Sequence, residues 1–151
     1  MTSRVLVCCS LVLAGLAYAG VFPDSFTILP ASQGQAVLRQ CSRGAPTSVS
    51  GFWQVSPSQV FEMERRLPEF LRRSGHRIET TNYFRQYIGI VSHGRKLIYL
   101  NAFIRGALTV SPRLNWKTTA FTARDGGDGF WGVEYDPVDK TFRHFESNGV
   151  A

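Results

Sequence analysis

The sequence predicts an α+β fold in which one N-terminal amphipathic helix packs on an antiparallel meander of four to five strands, a cystatin-like layout. Two observations favour this fold. Apolar residues recur at helical spacing around residue 60, and from residue 82 onward they alternate with a period of two in segments separated by turn sequences. The chain has 151 residues, 44% of them hydrophobic and 13% aromatic, so it can bury one core and is too apolar to be disordered.

The first 19 residues have the features of a secretory signal peptide. Arg4 precedes an apolar run over residues 5–16, and the tripeptide Ala17-Tyr18-Ala19 is a small-residue cleavage site. The run is shorter than the roughly 20 residues that a membrane-spanning helix needs. We therefore expect cleavage after Ala19, a periplasmic or extracellular location, and no transmembrane segment in the mature chain.

The rest of the chain divides into an arm and one domain. Residues 20–50 are expected to form an irregular arm with a short strand over residues 36–40. Residues 51–151 are expected to form a single α+β domain, because no linker or repeat interrupts them.

A helix is predicted to begin at Pro57. Ser56 is a suitable N-cap, and Gln59 three residues later completes a capping box. The apolar residues that follow share one helix face; they are Val60, Met63, Leu67, Phe70 and Leu71. Pro68 falls within this pattern and predicts a kink or a break, and Gly75 ends the helix.

Five strands are predicted after the helix, because β-branched and aromatic residues alternate there between turn residues. The expected strands cover residues 82–91, 96–104, a part of 114–123, 130–135 and 141–145. Gly94 suits a hairpin turn between the first two, and Pro137 suits the second position of a turn between the last two.

The charge of the chain favours anionic partners. There are 17 Lys and Arg against 11 Asp and Glu, a net charge of +6, and removal of the leader lowers this by one. For an exported protein the partner is then an envelope protein or an anionic cell-surface polymer, and export argues against nucleic acid. A cluster of arginines is a candidate anion-binding face; it comprises Arg65, Arg66, Arg72, Arg73 and Arg77. Ion pairs within the predicted helix and the helix dipole account for most of these arginines without a bound anion.

Cysteine usage leaves one thiol in the mature chain. Cys8 and Cys9 lie in the leader, so only Cys41 remains and no internal disulfide is expected. An odd cysteine in an exported protein is a buried inert thiol, an intermolecular bridge or a reactive nucleophile. A structural role in which Cys41 joins two chains therefore stays open, as does the oligomeric state.

The usual catalytic motifs are absent from the sequence. It contains no H-E-x-x-H, G-x-S-x-G, C-x-x-C or P-loop pattern. The three histidines, His76, His93 and His144, show no metal-ligand spacing. We expect no cofactor and no metal, and a non-enzymatic protein is favoured over an enzyme.

An acidic cluster supports the alternative that the protein is a small cell-wall hydrolase. Asp125, Asp128 and Glu134 lie close together in the sequence beside Trp131. A calcium loop would need glycine at a different position, whereas paired carboxylates beside an aromatic ring are typical of glycosidases. A third interpretation is a glycine-rich turn that leads into a strand with Trp131 facing the core.

The function that the sequence favours is a binding or inhibitor domain with an aromatic and basic contact surface. Aromatic residues and Arg dominate the energetics of protein interfaces. The predicted contact residues lie on the two hairpins and are Arg85, Tyr87, His93, Arg95, Trp131 and Glu134.

Three stretches of the sequence carry a resemblance, namely residues 51–71, 83–103 and 125–149, the last beginning DGGDGFWGVEYD. They resemble a group of small secreted bacterial proteins of uncharacterised activity, with a C-terminal signature similar to C-D-G-G followed by F-W-G-V-E-Y-D. The resemblance implies a bacterial exported protein and no particular activity. It also implies a bridge between an upstream cysteine such as Cys41 and a cysteine at the position that Arg124 occupies here.

Overall fold

The computed structural model describes residues 23–44 and 46–150, so the leader and the expected cleavage after Ala19 lie outside the described residues. The strands are β1 (Phe26–Ile28), β2 (Val49–Trp53), β3 (Tyr83–Ser92), β4 (Arg95–Ile104), β5 (Phe130–Asp136) and β6 (Thr141–Ser147). The helices are α1 (Gly34–Val37), α2 (Pro57–Arg73) and α3 (Ala107–Val110). Short 3-10 turns cover Ala31–Gln33, Thr80–Asn82 and Gly127–Gly129. The predicted α+β class is confirmed.

All six strands belong to one sheet with the order β1-β3-β4-β5-β6. Strands β3 to β6 are antiparallel neighbours, and β3 pairs with β4 over its full length, from Tyr83 opposite Ile104 to Ser92 opposite Arg95. The other edge of β3 is shared: β1 pairs in parallel with residues 85–87, and β2 pairs antiparallel with the end near residue 92. The arm before residue 50 thus contributes to the same sheet.

Helix α2 begins where its capping sequence predicts. The Ser56 side chain accepts a hydrogen bond from the Gln59 backbone N–H, and the Gln59 side chain accepts one from the Ser56 backbone, so the capping box is complete. Val60, Met63, Leu67 and Leu71 are fully buried against the sheet. The helix continues through Pro68, so of the predicted kink or break the break does not occur. Both halves of the helix bury the same apolar stripe, and this holds them in one continuous element.

Two strand predictions are wrong. Residues 36–40 lie in and after the short helix α1, and residues 114–123 form turns and extended chain without a strand. The second segment is held instead by side-chain amides of the sheet: Gln86 Nε2 donates to the Trp116 carbonyl, and Asn101 Nδ2 donates to the Phe121 carbonyl. The alternation of Thr and aromatic residues in this segment therefore does not reflect hydrogen bonding to a neighbouring strand. The sheet is also not wholly antiparallel, because β1 runs parallel to β3.

The sheet has two buried faces. The front face, which carries Tyr87, Leu100 and Val133, packs under α2. The back face, which carries Ile88 and Tyr99, packs against the arm and helix α1. No helix in residues 23–44 and 46–150 is long and apolar enough to cross a bilayer.

Candidate functional site

Most of the predicted contact residues are buried. The buried ones are Arg85, Tyr87, Trp131 and Glu134, each at most 5% exposed. Only His93 and Arg95 are exposed. Since Glu134 faces the back of the sheet and Trp131 the front, the six residues share no surface. These six residues therefore do not form one contact surface in the folded chain.

Arg85 and Tyr87 connect the sheet to helix α2. Arg85 Nε donates to Glu64 Oε1 over 2.7 Å and Arg85 Nη2 donates to Glu64 Oε2 over 3.1 Å, which is a bidentate ion pair. The Tyr87 hydroxyl donates to the same carboxylate. Burial raises the pKa of Tyr87 well above its usual value, so the hydroxyl remains a donor at neutral pH. These three side chains satisfy one another and offer nothing to a partner.

Trp131 is a core residue rather than a surface anchor. Its ring lies between those of Tyr83 and Phe145, with centroid separations of 5.7 and 5.5 Å. Every aromatic side chain among the described residues is at least partly buried. The exposed large hydrophobic side chains there are aliphatic: Ile104, Val110, Val138 and Val150. That part of the chain presents no exposed aromatic anchor.

Arg95 closes a turn. Its Nη2 lies 2.7 Å from Asp136 Oδ2 and also contacts the Asp139 carboxylate. Asp136 accepts the backbone N–H groups of Val138 and Asp139. Burial acts to raise the pKa of Asp136, but those N–H groups and the nearby arginines outweigh it and lower the pKa. The other exposed residue, His93, occupies the β3–β4 turn with a φ of 48°.

The acidic cluster does not converge. Asp125 and Asp128 are exposed around the turn that precedes β5, whereas Glu134 lies four residues beyond Phe130, the first residue of that strand. At about 3.3 Å per residue, this places Glu134 roughly 13 Å along the strand. Glu134 therefore does not pair with Asp125 or Asp128. Across residues 23–44 and 46–150, no group of three His, Cys, Asp or Glu residues is arranged to hold a metal ion.

A bulge in β6 creates a different site on the back face. The pairing register shifts between Gly132 and Glu134 of β5, and His144 opposite them has a φ of 50°. Phe142 and Phe145, three residues apart, can then both pack on the front-face core, which a regular strand with its period of two does not allow. The extra residue directs His144 toward the back face.

His144 borders a pocket of about 160 Å³, which we call the back-face pocket. Its walls are Tyr99, Glu134, His144 and Glu146 from the sheet, with Gly44, Pro46 and Thr47 from the arm. A Cβ atom at Gly44 would lie 2.5 Å from Glu146 Oε2, so glycine permits the arm to pass beside this carboxylate. The arm and three neighbouring strands thus build the pocket together.

Two carboxylates of the back-face pocket have unused acceptor capacity. Glu134 is 2% exposed, and the one hydrogen bond that its carboxylate makes with a described residue joins Oε2 to His144 Nδ1 over 3.0 Å. A carboxylate offers about four lone-pair sites. Glu146 is exposed at the rim, and its side chain forms no hydrogen bond or ion pair with the described residues. Both groups can accept donors from a ligand.

The Tyr99 hydroxyl is buried beside the Arg43 guanidinium. The residue is 2% exposed, and its Oη makes no hydrogen bond of good geometry with a described residue. A Cβ atom at Gly132 would lie 2.3 Å from this Oη, so glycine provides the space that the hydroxyl occupies. Burial raises the pKa of Tyr99 and the nearby Arg43 guanidinium opposes the rise, leaving the pKa above its usual value. The hydroxyl is therefore neutral at pH 7 and can donate or accept.

Arg43 lies behind Tyr99, with its guanidinium carbon 5.9 Å from the ring centroid. It is 6% exposed and donates through Nη2 to Asn101 Oδ1, while Nε and Nη1 have no partner among the described residues. Burial lowers the pKa of Arg43, against the effects of Tyr99 and Glu146. An arginine remains charged after such a shift, so Arg43 supplies a fixed positive charge behind the pocket.

Sequence reasoning found only one residue of this site, Glu134. The alternation of β4 and β5 could have placed Tyr99 on the same face as Glu134. Nothing in the sequence marks His144 and Glu146, because the bulge reverses the faces of the β6 residues from His144 onward relative to Phe142. Arg43 comes from the irregular arm, for which no periodicity exists.

Cys41 is exposed and unpaired. The side chain of the preceding residue, Gln40, accepts a hydrogen bond over 3.3 Å from the backbone N–H of Ala123, which precedes Arg124. The two positions joined by the implied bridge therefore lie on neighbouring segments.

Comparison with known proteins identifies no relative: no protein family, no curated protein and no solved structure matches this chain.

Proposed function

We propose that the mature chain is an exported, non-enzymatic binding or inhibitor domain of the bacterial envelope, and that its partner is an envelope protein engaged at the back-face pocket. The observation that carries this proposal is the Tyr99 hydroxyl, which is buried without a well-formed hydrogen bond, beside two carboxylates with spare acceptor sites. A buried polar group without a partner costs about 1–3 kcal/mol. A ligand that pairs with it recovers this cost on binding.

The size of the pocket favours binding over hydrolysis. Enzyme and cofactor pockets usually enclose about 300–1,000 Å³, whereas this one encloses about 160 Å³. That volume suits one side chain better than a sugar ring of a polymer. The hydrolase remains a second candidate, now with Glu146 as the partner of Glu134, because both carboxylates line the same pocket on adjacent strands.

A protein partner is favoured over an anionic polymer. The net charge of +6 attracts polyanions in general, but two carboxylates at the back-face pocket repel them locally. A folded partner can present one complementary side chain to a recess of this size. The cystatin-like layout, one helix laid across a sheet, is an analogy between folds, and a shared fold does not imply a shared function.

Capture from envelope extract tests the proposal. The chain starting at Gly20 is immobilised unaltered, as Glu146→Gln, and as the matched control Glu79→Gln, an exposed acid outside the pocket. We expect one protein, identified by mass spectrometry, to be retained by the unaltered chain and the control, and retained about tenfold less by Glu146→Gln. Equal retention by all three, or retention of cell-surface polymer instead of protein, contradicts the proposal.

Export of the chain is tested by a separate measurement. Chain recovered from the periplasm or the medium of an expressing bacterium is expected to begin at Gly20, because the signal sequence ends at Ala19. Mass spectrometry of the intact chain gives the first residue directly. A chain that begins at Met1 and stays in the cytosol contradicts export, whatever the capture experiment shows.

A further inference from the structure

We infer that the back-face pocket takes a single cationic group, the ammonium of a Lys or the guanidinium of an Arg, presented by the partner protein. The inference rests on the proposed function, since it names the chemistry of the group that the partner contributes. It is drawn from the charges, the hydrogen-bonding groups and the size of the pocket.

The charges around the pocket call for one positive charge. Glu134 and Glu146 line it and bring a charge of −2 when ionised. Arg43, behind Tyr99, offsets one of these charges. A monocation brings the local charge to zero, whereas an anion would add a second uncompensated negative charge to a partly desolvated recess, which is costly.

The hydrogen-bonding groups are mainly acceptors. Glu134 and Glu146 can only accept when ionised, and the Tyr99 hydroxyl can accept as well as donate. A Lys ammonium brings three donors and an Arg guanidinium brings five, so either can pair with all three oxygen-bearing groups. A neutral or acidic side chain leaves at least one of these acceptors unpaired.

The dimensions and the opening fit the end of a long side chain. A pocket of about 160 Å³ is smaller than the roughly 300–1,000 Å³ of the sites that take whole small molecules. It holds a guanidinium or an ammonium with its last methylenes and excludes a folded segment of chain. The His144 side chain is 66% exposed, so the rim is open to a residue that enters from a partner.

Titration with blocked amino acids tests the inference. The probes are the N-acetyl methylamides of lysine, arginine, norleucine and glutamate, added to the chain starting at Gly20 and followed through the NMR signals of His144 and Tyr99. Saturable shifts are expected for lysine or arginine, with a dissociation constant in the millimolar range. Glu146→Gln should weaken this binding about tenfold, since it removes a charge-assisted hydrogen bond, and Glu79→Gln should leave it unchanged.

Two results overturn the inference: no saturable shift with either cationic probe, or norleucine or glutamate binding as tightly as lysine and arginine. These failures are distinguishable from failure of the proposed function. If Glu146→Gln abolishes capture of the envelope protein but no cationic probe binds, the pocket is the binding site and its ligand is not a cation. If the cationic probes bind but Glu146→Gln does not change capture of the envelope protein, the pocket binds cations and the protein partner does not use it.

Discussion

Replacement of Glu64 by Ala is expected to lower the free energy of unfolding by about 3–5 kcal/mol. The change removes the acceptor of both Arg85 and Tyr87 while the two donors stay buried, at 5% and 0% exposure. A buried charge that loses its partner costs more than the pair contributed. Urea unfolding followed by tryptophan fluorescence measures the difference.

Glu69→Ala is the matched control on the same helix. Glu69 pairs with Arg72 and Arg73, but all three side chains are largely exposed, so little change in stability is expected. Replacing Glu64, Arg85 and Tyr87 together by Leu, Met and Phe should recover most of the loss, since none of the three side chains then buries a polar group, although the Thr80 and Tyr83 carbonyls lose a donor. If Glu64→Ala matches the control, the three side chains do not hold the helix to the sheet.

Trp131→Ala is expected to cost about 3–5 kcal/mol and to leave contact with a partner unaffected in the fraction that folds. Its ring is fully buried between Tyr83 and Phe145. A surface contact residue would behave in the opposite way, with binding lost and stability kept. Denaturant unfolding and the capture experiment on the same variant separate the two.

Trp131→Phe is the milder companion of that variant. The indole Nε1 forms no hydrogen bond of good geometry with a described residue, so the main effect of this change is the loss of volume. We expect a loss below about 1.5 kcal/mol and unchanged capture. If the Trp131→Phe variant folds stably but no longer captures the partner, Trp131 belongs to the binding surface after all.

Local signals predicted the elements whose residues determine their own structure. The capping box at Ser56 placed the start of α2, and the glycine and proline turns placed both hairpins close to their observed bounds. These features depend on contacts between residues near in sequence. For the same reason the α+β class followed from periodicity alone.

The sequence predictions that the structure contradicts depend on contacts between residues far apart in the sequence. Side chains of Gln86 and Asn101 hold residues 114–123, and no local pattern reveals that their partners lie in the sheet. Composition predicts a contact surface that includes the aromatic residues Tyr87 and Trp131, because composition does not show which face of a strand is covered in the folded chain. The back-face pocket depends on the bulge at His144 and on the arm around Arg43, which approach each other only in the folded chain.

The stability of Tyr99→Phe is the most direct test of the back-face pocket, because binding there requires that this hydroxyl lacks a well-formed hydrogen bond in the free protein and gains one from a partner. Removing a buried hydroxyl that lacks such a hydrogen bond should raise the free energy of unfolding by about 1 kcal/mol, while retention of the envelope partner falls. Urea unfolding of the chain starting at Gly20 gives the value. A variant less stable than the unaltered chain by a similar amount would show that the hydroxyl already has an internal partner, and would contradict the assignment of the back-face pocket as a binding site.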